Sequence, residues 1–86
     1  MNKVIRGKKY DTETAEKVAS TWEINNDTRW DELYKKKTGE FFLAHHTRWA
    51  NESERIQPLT LDEAKEWVEE NMDGDDYEAL FGKVEE

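Results

Sequence analysis

Two adjacent histidines, His45-His46, are the residues that most invite a chemical reading, because imidazole carries protons and ligates metals. Their adjacency argues against a shared job. The residues around them read as a strand, and neighbouring strand residues point to opposite faces, so the two rings cannot easily hold one ion. The chain has no cysteine, which removes thiolate sites and disulfides. Asp73-Gly74-Asp75-Asp76 has the composition of a calcium loop but lacks the alternating acids before the glycine and the distal bidentate glutamate. A helix stop followed by a helix cap explains it better. Ser20 and Ser53 have neither an adjacent base nor a glycine-rich elbow, and no phosphate loop occurs. Carboxylates are abundant, yet general acid chemistry needs a buried or crowded one, and these fall mostly where solvent is expected. The expectation is a protein that is not an enzyme and that carries no metal, cofactor or small-molecule substrate.

The acids carry more information through their distribution. Residues 60–86 hold eleven acids against two bases, a net charge of −9, whereas residues 1–59 are close to neutral. Such asymmetry speaks of partners and solubility rather than of fold. Part of it is local structure: Asp62, Glu63, Asp75 and Asp76 suit helix starts. Glu66, Glu69, Glu70, Asp73 and Glu78 remain, and they are the candidate partner-binding set. Carboxylates spaced along a helix face present a row of negative charge to a basic groove, and salt weakens the attraction. The plainer reading is a solvated face that keeps a small domain soluble.

A second set has the opposite sign. Arg29, Lys35, Lys36, Lys37 and Arg48 interleave with Trp30, Tyr34, Phe41, Phe42 and Trp49. Bases with aromatics can hold a nucleic-acid strand by phosphate contacts and stacking. The plainer alternative makes the rings core and the lysines a soluble hairpin tip, and the overall charge of −8 favours that alternative.

These residues need elements to place them. With 86 residues there is room for one domain and a small core, and ten aromatics supply the large side chains to fill it. Residues 3–10 read as a strand broken at Gly7. Residues 11–19 read as a short helix capped by Asp11 or Thr12, with Ala15, Val18 and Ala19 as a narrow apolar stripe; a strand is the alternative. Residues 20–24 alternate like a strand, and Asn25-Asn26-Asp27 signals a turn. Residues 30–36 and 40–46 form a hairpin closed at Lys37-Thr38-Gly39, with Gly39 at positive φ. Alternation puts Phe41, Leu43 and His45 on one face and Phe42, Ala44 and His46 on the other, one face on the core and the other partly covered. Residues 51–54 read as a polar loop and 55–57 as a short edge strand.

Thr60-Leu61-Asp62-Glu63 is a capping box, opening a helix over 60–72 whose apolar face is Leu61, Ala64, Trp67, Val68 and Met72. Gly74 should stop it, Asp75-Asp76 should cap a second short helix, and Gly82 should end that one, with residues 83–86 fraying. The expected fold class is α+β: a mostly antiparallel sheet of three to four strands on a C-terminal helix, with a second short helix at the end. The expected core is Trp30, Leu33, Phe41, Leu43, Leu61, Ala64, Trp67, Val68, Leu80 and Phe81. No apolar run approaches a membrane span, and the opening residues charge too early for a secretory leader, which points to the cytoplasm.

Three stretches carry a resemblance. Val4-Ile5-Arg6-Gly7-Lys8-Lys9-Tyr10-Asp11-Thr12-Glu13-Thr14-Ala15-Glu16 resembles the opening of small uncharacterised proteins encoded on bacterial conjugative elements, plasmids and phages. Leu33-Tyr34-Lys35-Lys36-Lys37-Thr38-Gly39-Glu40-Phe41-Phe42-Leu43 and Pro58-Leu59-Thr60-Leu61-Asp62-Glu63-Ala64-Lys65-Glu66-Trp67 resemble their middle and end. Those proteins often carry a longer, glycine-rich segment where this chain has residues 44–54. The resemblance offers no functional residue to carry over. It implies a mobile-element setting, where small acidic proteins often inhibit host defences. The resulting expectation is a binding protein of the anti-CRISPR type whose acidic, nucleic-acid-mimicking surface meets a basic site on an effector complex. The alternative is a regulatory or nucleic-acid-associated accessory protein that uses the basic hairpin.

Overall fold

A computed structural model describes residues 1–21, 29–49 and 54–83. The chain is α+β. Strands β1 (Asn2–Ile5) and β2 (Lys8–Asp11) form a separate hairpin; β3 (Glu16–Ser20), β4 (Arg29–Lys35), β5 (Phe41–Thr47) and β6 (Arg55–Leu59) form an antiparallel sheet in that order; helices α1 (Leu61–Asn71) and α2 (Gly74–Phe81) follow.

The N-terminal strand is broken at Gly7 because the chain reverses there. Arg6 and Gly7 both have positive φ, 53° and 78°, as a two-residue type I′ loop requires, and Ile5 pairs with Lys8 across it. The helix expected over 11–19 is absent, and β3 lies there instead. Its capping signal is nevertheless used: Asp11 Oδ1 accepts from Glu13 N–H at 2.9 Å, and Asp11 O from Ala15 N–H at 3.0 Å. That single turn leads into β3 rather than propagating. The apparent helical stripe arises from a register shift between Lys17 and Ala19, which brings Val18 and Ala19 against the same hydrophobic cluster while Ala15 meets another. Of the strand expected over 20–24, Ser20 ends β3 and Thr21 follows as a bend tied to Asp31, while residues 22–24 lie outside the described residues, as do the turn at 25–27, loop residues 51–53 and the fraying end at 84–86.

The β4–β5 hairpin is as its sequence reads. Leu33 faces Leu43, Tyr34 faces Phe42, and Gly39 closes the loop at φ 93°. β6 runs on through Pro58, which an edge strand tolerates because the missing N–H faces away from the ladder. The capping box of α1 is formed, with Glu63 N–H on Thr60 Oγ1 at 3.1 Å and Thr60 N–H on Glu63 Oε1 at 2.9 Å. The stop differs from expectation. Met72 ends α1, and Asp73, not Asp75-Asp76, caps α2 by accepting from Asp76 N–H at 2.9 Å, so Gly74 is the first residue of α2. Gly82 ends α2 as its sequence suggests, at φ 94°.

Alternation along β5 divides the buried residues into two clusters. On one face Leu33, Phe41 and Leu43 meet Ala64 and Val68 of α1, with Trp67, Tyr77, Leu80 and Phe81 packed around them. On the other face Tyr34, Phe42, Ala44 and Ile56 meet Tyr10 of the N-terminal hairpin. This second face is buried at Phe42 and Ala44 and half-buried at His46: Tyr34 stacks on Phe42 at 5.2 Å, and Tyr10 meets it edge-on at 5.5 Å. Two expected core residues lie elsewhere. Leu61 is 53% exposed, because a first-turn side chain leans back past the end of its helix. Trp30 is half-buried and belongs to neither cluster; its indole stacks on His46 at 5.2 Å. The protein is therefore three layers: hairpin, sheet, helices.

Candidate functional site

The acidic set lies in the helix layer. Glu66, Glu69 and Glu70 are on α1, Asp73 is the α2 cap and Glu78 is on α2; all five are exposed. Glu66 and Glu70 are four residues apart, about 6 Å along the axis, with Glu69 beside them. Among the described residues none of the five enters a salt bridge. In the sheet Glu40 binds Lys8 at 3.0 Å and Lys36 at 3.4 Å, and Glu32 binds Lys17 at 3.3 Å, whereas Glu13 and Glu16 are exposed and, like the helix acids, enter no salt bridge among the described residues. Helix energetics does not favour these positions. Neither helix has a base in its last turn, so Glu69 and Glu70 sit at the negative end of the α1 dipole. Asp73 differs from the others because its carboxylate is used in capping.

The basic set is split. Arg29 opens β4 opposite Thr47, next to Arg48, while Lys35, Lys36 and Lys37 lie at the far end of the same hairpin. Six residues of strand, about 20 Å, separate the two groups. Lys36 is held over the Tyr10 ring at 4.3 Å and pairs with Glu40; Lys35 lies over Phe41 at 5.7 Å. The rings offered for stacking at Tyr34, Phe41 and Phe42 are buried, so bases cannot reach them, although Trp49 is exposed.

Each histidine is engaged on its own face of the sheet. His45 Nδ1 donates to Asp31 Oδ1 at 2.6 Å, and its Nε2 lies 2.8 Å from Gln57 Oε1. His46 Nδ1 meets Glu54, and its buried Nε2 lies 2.6 Å from Glu32 Oε1 without an aligned hydrogen bond. Glu32 also accepts from Tyr34 Oη at 3.3 Å. Burial and the Glu32 charge beside it push the Tyr34 phenol above its ordinary range. No group of three or more histidines and acids able to hold a metal occurs among the described residues. No helix there is long and apolar enough to cross a membrane.

Two concavities flank the N-terminal hairpin, and sequence reasoning missed both because they form between distant segments. One, of about 460 Å³, is lined by Ile5, Arg6, Lys8, Tyr10, Pro58 and Glu63. Its charges are partly committed, Lys8 to Glu40 and Glu63 to the α1 cap. The other, of about 200 Å³, lies between the β2–β3 turn and the β4–β5 loop. Compared with protein-family models, curated proteins and solved structures, the chain matches none.

Proposed function

We propose that this chain is a non-enzymatic binding protein that presents the outer face of α1, continued onto α2, to a basic nucleic-acid-binding groove of a protein partner. What supports this reading is the set Glu66, Glu69 and Glu70, exposed and outside any salt bridge among the described residues, with Glu69 and Glu70 kept where the helix dipole disfavours them. The charge density fits the role. Residues 61–71 carry five acids and one base, a net −4 over about 16 Å, or one charge per ~4 Å. A single nucleic-acid strand carries one per ~3.4 Å of helix axis. The biological setting we propose is inhibition of a host defence complex of the CRISPR type, on behalf of a mobile element.

The test is a triple reversal, Glu66→Lys with Glu69→Lys and Glu70→Lys. Asp73 is left in place because its loss would uncap α2. The wild-type protein should retain a nucleic-acid-binding protein from a bacterial host lysate, release it at raised salt, and block plasmid interference by an active CRISPR system. The triple variant should do neither while melting cooperatively. Equal capture and equal inhibition by the variant would sink the reading.

A further inference from the structure

The smaller concavity has a chemistry opposite to that of the helix layer. Its walls are Lys9, Asp11 and Thr14 on one side and Lys36, Lys37 and Thr38 on the other. Three ammonium groups against one carboxylate give the lining a net charge of +2. Asp11 is already satisfied by Glu13 N–H and by Lys9 at a loose 3.6 Å. Glu40, which shares Lys36, is separately held by Lys8 at 3.0 Å and Thr38 Oγ1 at 3.1 Å, so Lys36 is not needed to keep it in place. The Lys36 ammonium is held over the Tyr10 ring, 4.3 Å from its centroid. Among the described residues, Lys37 makes no hydrogen bond or ion pair with either its backbone N–H or its ammonium. A volume near 200 Å³ equals six or seven waters of liquid, too small for a drug-sized ligand and ample for one solvated tetrahedral anion.

We propose that this concavity is a phosphoryl-binding site, in which Lys9, Lys36 and Lys37 surround a phosphate group supplied either by a free phosphate compound or by a nucleic-acid backbone. The site faces away from α1: Tyr10 and Phe42 stand on one side of the sheet, and Phe41, Leu43 and the helices on the other. The acidic layer is thus separated from the bound anion by the sheet, a distance at which physiological salt screens most of its repulsion. Lys36 is positioned by structural contacts, whereas Lys9 and Lys37 are the exposed, adjustable contacts. The site does not depend on the acidic-face reading, since neither uses a residue of the other.

Amide shifts followed by NMR during titration with sodium phosphate, against sodium chloride at equal ionic strength, test it. Thr14, Lys37 and Thr38 should move with phosphate and not with chloride. A short oligothymidylate forms the second arm. Tighter binding than phosphate, weakening with salt, identifies a nucleic-acid source; oligothymidylate no tighter than phosphate identifies a free phosphate compound. Lys9→Glu with Lys37→Glu should weaken binding by about a hundredfold, and Lys3→Glu, on the same hairpin but outside the concavity, by only a few-fold. Both sites of change are exposed, and a thermal melt confirms folding. Absence of specific shifts with either anion, or equal weakening by Lys3→Glu, would overturn the proposal.

Discussion

Arg6 occupies, among the described residues, the positive-φ position that asparagine or glycine fills most comfortably in a type I′ turn. A left-handed conformation costs an ordinary residue about 1–2 kcal/mol. Arg6→Asn should therefore raise stability by about 1 kcal/mol in a urea melt. Phe42 is the opposite case: fully buried, with aromatic rings on two sides. Phe42→Ala should cost about 3–5 kcal/mol and leave a domain of this size unfolded or nearly so. Glu40 offers a pH readout. The hydrogen bond from Lys8, aided by Thr38, holds its carboxyl below the usual range. A lowered carboxyl stabilises the fold above its unfolded pKa, and the contribution fades as pH falls through the lowered value. Wild type should thus lose melting temperature below about pH 4 more steeply than Glu40→Gln does. Lys8, raised by the same partner, adds stability that is lost only as pH climbs past about 10.5.

At the scale of elements, α1 carries its acids at a cost. Glu66 and Glu70 repel across one turn, and Glu69 and Glu70 oppose the dipole. Glu69→Lys and Glu70→Lys should each stabilise the protein by about 0.3–1 kcal/mol in chemical denaturation while weakening the proposed partner contact. A gain in stability with a loss of binding is the pattern that a merely solubilising face does not produce. The same helix shows what sequence makes legible. Its capping box and its Ala64–Val68 stripe are local and were readable. So was the β4–β5 hairpin, whose turn glycine and alternating rings lie within a dozen residues. The region 11–19 misleads because an Asx turn followed by a bulge reproduces helical spacing without a helix. Nothing local in Phe42 or Tyr34 says that Tyr10, more than twenty residues earlier, will cover them. The second cluster and the lysine-lined concavity were illegible for that reason, while the acidic set, defined by composition, was visible at once.

For the whole molecule, charge is sorted by layer, with its excess acids on the helices and a lysine-lined concavity beneath the hairpin. A net charge of −8 repels itself in the compact state. Added sodium chloride should raise the melting temperature from low ionic strength, and charge reversal on α1 should flatten that response. The same salt should weaken attachment to a basic partner, so folding and binding are expected to respond to ionic strength with opposite signs. The sheet order has another consequence. Among the described residues, strands β3 to β6 pair with their sequence neighbours, and the N-terminal hairpin joins no ladder but its own. Pairing between sequence neighbours keeps the contacts local, so the meander and α1 can assemble early and as one cooperative unit. The hairpin docks through Tyr10 and its neighbours and can lift away without breaking the sheet. Amide protons of β1 and β2 should exchange with solvent orders of magnitude faster than those of β4 and β5, each transient opening uncovering the Phe42 ring while the helices stay in place.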